Sequence, residues 1–136
     1  MFAATQRSSF FAVPLTSRLR WLVSLRWLAL LCILLDPQPP PLVALEEPEL
    51  GLHPDLFGTL ADLLRDAATR TQLVVTTHSE ALISAFSDTP EAVVVFDRPF
   101  ESTVARRLSR DELSGWLAEY SLGHAWMTGA LGGKRW

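Results

Sequence analysis

The chain has 136 residues, 49% of them hydrophobic and 20% charged, with seven Gly, nine Pro and one Cys. That composition belongs to an ordinary globular domain rather than a disordered or collagen-like chain, and this length buries roughly two-thirds of its unfolded surface without covalent staples. A lone cysteine, Cys32, excludes an internal disulfide and a cysteine-based metal cluster.

Net charge is −3, unevenly spread. Residues 1–35 hold four Arg and no acid, whereas residues 36–136 hold eight Lys and Arg against fifteen acids. Residues 1–19 show no clear hydrophobic period, and residues 1–20 form an unassigned basic segment. The uncharged apolar run Trp27 to Leu35 covers nine residues, about half of the ~20 needed for a bilayer-spanning helix. Asp36-Pro37-Gln38-Pro39-Pro40-Pro41 stands where a secretion signal would carry a small-residue cleavage site, so the run reads as a buried helix of a cytoplasmic protein. That helix covers about Arg20 to Leu35, and Trp21, Leu22, Leu25, Leu28, Leu31, Cys32 and Leu35 recur at three- and four-residue steps as one apolar stripe. Asp36-Pro37 stops it, and the prolines force an extended connection.

Leu42-Val43-Ala44-Leu45 reads as a strand buried on both faces, ending at Glu46 and Glu47. Pro54 and Asp55 open a helix whose Leu56, Phe57, Leu60, Leu63, Leu64 and Ala67 keep a helical period to about Ala68. Gln72 to Thr76 forms a second strand ending in Thr77-His78-Ser79, with Ser79 capping a helix that buries Leu82, Ile83 and Phe86. A third strand, Ala92 to Phe96, follows a turn-rich stretch. This order predicts an α/β fold whose first three strands lie parallel, joined by crossovers. Thr103 to Leu108 reads as a last strand antiparallel to the third. Ser109-Arg110-Asp111-Glu112 then opens a helix with Leu113, Trp116, Leu117 and Tyr120 on one face.

Ligands of an open parallel sheet bind outside the carboxyl ends of the strands, which directs Glu46, Glu47 and His78 to one crevice. Consecutive residues on a strand point opposite ways, but a turn at Pro48 lets the two acids take different roles. Glu49, Asp55 and Asp62 read as surface or helix-start acids, His53 mainly as a helix start, His124 as structural, and Trp21, Trp27, Trp116 and Trp126 as packing residues. No His/Cys pair has metal-ligand spacing, and no basic stripe interleaved with aromatics is visible.

The segments Leu42-Val43-Ala44-Leu45-Glu46-Glu47-Pro48-Glu49-Leu50-Gly51-Leu52-His53-Pro54 and Val74-Val75-Thr76-Thr77-His78-Ser79 resemble the ABC-type AAA ATPases of the RecF/SMC and overcoming-lysogenization-defect kind, including the AAA domain 21 type. The first segment is similar to their Walker B strand and D-loop, the second to their switch-histidine strand. Leu25-Arg26-Trp27-Leu28-Ala29-Leu30-Leu31 resembles the helix after their signature loop, and Tyr120-Ser121-Leu122-Gly123 through Gly133 resembles the end of their bacterial members.

The resemblance implies the C-terminal half of a P-loop NTPase domain over residues 21–133, followed by a short tail, 134–136. It implies ATP and Mg²⁺ as ligands. Glu46 would hold Mg²⁺ through water, Glu47 would polarise the attacking water, and His78 would sense the γ-phosphate. Ser24, the remainder of the signature loop, and Leu52 and His53 of the D-loop would meet the nucleotide across a homodimer or a P-loop-bearing partner; DNA enters by family habit alone.

The sequence departs from the family at the signature loop, where Trp21-Leu22-Val23-Ser24 stands instead, and more decisively in its phosphate cradle. It contains no Gly-x-x-x-x-Gly-Lys-[Ser/Thr], and the backbone amides and lysine of that loop supply most of the phosphate-binding field. The expectation is therefore an ATPase core fragment that hydrolyses ATP weakly or not at all alone, with a basic start fused to a truncated domain. The alternative is an inert remnant or protein-interaction module. A sheet lacking its central strand would also leave unpaired edges and an exposed apolar face.

Overall fold

Helix α1 (Leu15–Leu34) lies on the first of two cores in the computed structural model, which describes residues 15–98, 102–117 and 119–132 and the side chains of α1 from Ser24 onward. Residues 1–14 and the tail from Gly133 lie outside the described residues, with the expectations made for them. The helix starts five residues before the expected Arg20, because nothing between Leu15 and Arg20 breaks a helix.

The buried stripe of α1 also differs from the expected one. Leu30 and Leu34 are buried, with Trp27 packed partly against the same core. Leu25, Leu28 and Leu35 are more than half exposed, and Cys32 is exposed. The helix is apolar nearly all round, so periodicity alone does not choose its inward face; its packing partners do. Its end is held by Arg70, whose Nη2 donates to the Leu34 carbonyl oxygen at 2.7 Å, satisfying one of the carbonyls a helix leaves unpaired.

The prolines then deliver the chain to β1 (Leu42–Glu46), which pairs in parallel with β2 (Gln72–Thr76), Leu42 opposite Gln72 and Glu46 opposite Thr76. A 3₁₀ turn (Pro54–Leu56) and helix α2 (Phe57–Ala67) make the crossover, with Leu60, Ala61, Leu64 and Ala67 buried on one face. Strand–helix–strand therefore takes the parallel form expected of such a unit. The expectation that β1 is buried on both faces fails: Val43 is buried, whereas Leu42 is 53% exposed. Only one side of this two-stranded sheet is covered by helices, so its residues alternate.

Ser79 caps α3 (Glu80–Ser84), its Oγ accepting from the Leu82 amide at 3.3 Å. After a short 3₁₀ turn, β3 (Val94–Asp97) pairs antiparallel with β4 (Val104–Arg107), as the short link between them requires. Contrary to the expected run of three parallel strands, β3 does not pair with β2; the described strands form two separate two-stranded sheets. Helices α4 (Arg110–Leu117) and α5 (Leu122–Met127) close a second core around Val95, Leu108, Leu113, Leu122 and Ala125. Within it α5 meets α3 so closely that a Cβ on Gly123 would stand 2.2 Å from the Glu80 carbonyl oxygen. The molecule is thus a mixed α/β fold with a parallel pair at its centre and helices packed against it.

Candidate functional site

The carboxyl ends of β1 and β2 form the candidate site. Glu46 closes β1 in an exposed position, and the chain then reverses at Glu47, which adopts φ 41°. A non-glycine residue held there is strained by roughly 1–3 kcal/mol and persists only where its surroundings over-determine it. Three hydrogen bonds do so. The Glu47 amide donates to the Thr76 carbonyl oxygen at 2.9 Å, and its own carbonyl oxygen accepts from the Leu50 amide at 3.0 Å and from Arg26 Nη2 at 2.6 Å. The reversal expected at Pro48 is thus made at Glu47 itself, with Pro48 fully buried behind it.

The reversal brings the Glu47 side chain toward the end of β2, where its Oε1 lies 4.0 Å from His78 Nε2. That separation is too long for a hydrogen bond. It leaves both groups with capacity for a shared third partner, and both are open to solvent, His78 being 72% and Glu47 36% exposed.

The residues on either side of His78 are tied to each other and to Glu49. The Ser79 amide donates to Thr77 Oγ1 at 3.0 Å, and Thr77 Oγ1 in turn donates to Glu49 Oε1. Glu49 is therefore no surface acid: it is 7% exposed, and its Oε2 has no hydrogen-bond partner among the described residues. A glutamate after a proline in a turn carries no local sign of burial. It is drawn inward because the Glu47 reversal and the bond from the Leu52 amide to the Glu49 carbonyl oxygen, 3.0 Å, fold the loop back under β2. Arg26 was equally unmarked, although an arginine inside an apolar helix needs a polar partner somewhere.

The other expected site residues each have a setting of their own. Leu52 is 7% exposed, and its side chain packs in the first core. His53 is exposed and uses Nδ1 to accept from the Asp55 amide at 3.3 Å, which makes it the cap of the 3₁₀ turn. Ser24 lies at an exposed position of α1, two residues before Arg26, and is not part of the Glu47–His78 pair. His124 stacks on Tyr120 with ring centroids 4.9 Å apart, a structural contact.

Among the described residues no group of three or more His, Cys, Asp or Glu converges as a metal cage. Mg²⁺ bound to a nucleotide keeps several waters and needs only one or two carboxylates, a requirement that exposed Glu46 fits in donor type. No helix of the described residues is long and apolar enough to cross a membrane.

Comparison with known families places this region. Residues 24–84 match the family described as "AAA domain, putative AbiEii toxin, Type IV TA system". The match takes in the second half of α1, both acids, the turn after them and His78, and stops before β3. Among solved structures, one described as "Structural biochemistry of ATP-driven dimerization and DNA stimulated activation of SMC ATPases" is similar at 17% identity with a TM-score of 0.46, covering 60% of this chain. The similarity spans 48% of that protein's own chain. No curated protein matches this one.

Proposed function

We propose, from the match of residues 24–84 to an AAA domain family, that this chain supplies the acid half of an ATP-hydrolysing site. The observation that carries the reading is the convergence of Glu47 and His78 across 4.0 Å at the ends of two parallel strands. When bound, Mg²⁺–ATP supplies the electrophilic phosphorus and the cation that offsets its charge.

The residues divide the remaining work. Glu46, exposed at the end of β1, would hold Mg²⁺ through water. Glu47 orients the attacking water and accepts its proton, a role that requires a carboxylate free of the metal. His78 donates to a phosphate oxygen. Arg26 fixes the Glu47 backbone, and Glu49 through Thr77 fixes the loop carrying His78. Both therefore act as positioning residues.

The phosphate cradle must come from elsewhere, because the sequence has no P-loop. A P-loop-bearing segment or partner that meets the loop at Leu50, which is 59% exposed, completes the site. The same incompleteness supports a second reading, a module retained for binding another polypeptide and lacking turnover.

Calorimetric titration with Mg²⁺–ATP tests the proposal. The expected result is weak binding that depends on Mg²⁺, is lost in Glu46→Gln and is weakened in His78→Ala, with no turnover by the chain alone. Binding unchanged by both substitutions, or unchanged when Mg²⁺ is chelated, overturns it.

A further inference from the structure

Three ring side chains meet on the surface where α4 gives way to α5. The Trp116 and Tyr120 ring centroids stand 5.8 Å apart with their planes tilted by 48°, and Tyr120 stacks on His124 at 4.9 Å with the planes within 14° of parallel. Both separations fall in the range where aromatic pairs attract. The rings nonetheless stay in contact with solvent. Trp116 is 44% and Tyr120 43% exposed, and Met127, three residues beyond His124 on α5, is 42% exposed. The inner sides of the same helices bury Leu113, Leu122 and Ala125. Single exposed apolar residues need no explanation, but a contiguous row of them marks a surface that contacts something else.

The charge around this row is one-sided. Residues 109–128 hold Asp111, Glu112 and Glu119 against the single cation Arg110, and all three acids are exposed. Glu112 lies one helical turn before Trp116, hence on the same side of α4, and Glu119 adjoins Tyr120. Arg110 is engaged elsewhere, its guanidinium donating to the Asp88 carbonyl oxygen. Arg106 Nη1 stands 3.6 Å from Glu112, which leaves that carboxylate still 61% exposed. Ring faces bordered by carboxylates are a poor match for phosphodiesters, whose binding is carried by Lys and Arg. They suit a cation that can lie flat on a ring.

We infer that the row Trp116, Tyr120 and His124 is a docking site for an arginine-bearing segment of a second protein, with the guanidinium stacked on an exposed ring and its charge met by Glu112 and Glu119. A planar guanidinium stacks on aromatic faces where a compact, strongly hydrated ammonium does so less well. Exposed ion pairs contribute little, so the rings supply most of the affinity and the carboxylates the preference for a cation. The chain's own described arginines are engaged elsewhere. Arg26, Arg65, Arg70, Arg106, Arg107 and Arg110 each donate to a backbone carbonyl oxygen, and Arg98 lines the groove between β2 and β3. Arg18 and Arg20 belong to α1, whose buried residues sit in the other core.

Two-dimensional NMR of the full chain, with neither ATP nor Mg²⁺ present, tests this with a synthetic Gly-Arg-Gly-Arg-Gly-Arg peptide. The expected result is a saturable shift of the Trp116 indole and Tyr120 ring resonances. Read on Tyr120, Kd rises about two- to thirtyfold in Trp116→Ala. It rises also in Glu119→Gln, a change at an exposed position that leaves folding intact. The same peptide with lysine in place of arginine binds more weakly. No shift with the arginine peptide, equal binding of the lysine peptide, a Kd unmoved by both substitutions, or the same shifts produced by a short oligothymidylate each overturns the inference. Occupation by the chain's own remaining cations is read without peptide, in a variant combining Arg7→Gln, Arg18→Gln, Arg20→Gln, Lys134→Gln and Arg135→Gln. Unmoved Trp116 and Tyr120 resonances there support a second protein as the occupant, and displaced ones overturn it.

Discussion

The guanidinium of Arg26 donates to the carbonyl oxygen of Glu47 at 2.6 Å, tying α1 to a turn 21 residues further along the chain. This contact holds a left-handed glutamate in place at the end of β1 and so determines where its carboxylate points. A charge-assisted hydrogen bond of this kind contributes about 1.5–3 kcal/mol. Arg26→Met, which keeps much of the stem and removes the donors, is expected to lower unfolding stability by that amount in urea. Arg26→Lys recovers only part of it, because an ammonium lacks the planar fork.

The Thr77 hydroxyl links the Ser79 amide to the buried carboxylate of Glu49. Thr77→Val keeps the shape and deletes the link, leaving both Glu49 oxygens buried without that partner. Stability is expected to fall by about 1–3 kcal/mol. The His78 imidazole resonances are expected to shift in the same variant, which two-dimensional NMR reads directly. Unmoved His78 resonances would show that Thr77 and Glu49 do not position it.

The inward face of α1 is checked by a pair of truncations. Leu34 is 1% exposed and Leu28 56%. Leu34→Ala is expected to cost about 2–5 kcal/mol, and Leu28→Ala no more than about 0.5 kcal/mol. Chemical denaturation of the two variants side by side decides between this face and its opposite.

Gly123 lets α5 approach α3, where an added Cβ would lie 2.2 Å from both the Glu80 carbonyl oxygen and Ser84 Oγ. The first of these is backbone and cannot swing aside. Gly123→Ala should therefore push the helices apart at a cost of about 1–3 kcal/mol, despite the better helix propensity of alanine, and appear as a lowered melting temperature. Gly115→Ala, in α4 with nothing within 4 Å of its Cβ position, serves as the control and should be neutral or stabilising.

Local chemistry made much of this protein legible before its coordinates. Leu42 to Leu45 and Gln72 to Thr76 are short apolar runs bounded by prolines, acids and small polar residues, and they are strands. Ser79 caps a helix because its hydroxyl has only to reach an amide three residues on. Glu47 and His78 meet because a parallel β–α–β unit puts successive strand ends side by side, and that unit was visible in the spacing.

What tertiary packing decided are the matters on which local signals are silent. An apolar helix such as α1 has no preferred face until something packs against it. Glu49 has the surroundings of a surface acid until its loop folds beneath β2. Whether β3 joins β2 or stands apart with β4 depends on what occupies the space between them, since a strand's own residues specify that it is extended and apolar but not which edge it will pair. Sequence determined the elements and the acid–imidazole pair because those follow from interactions a few residues long. The inward faces, the buried carboxylate and the separation of the two sheets were settled by contacts between segments far apart in the chain.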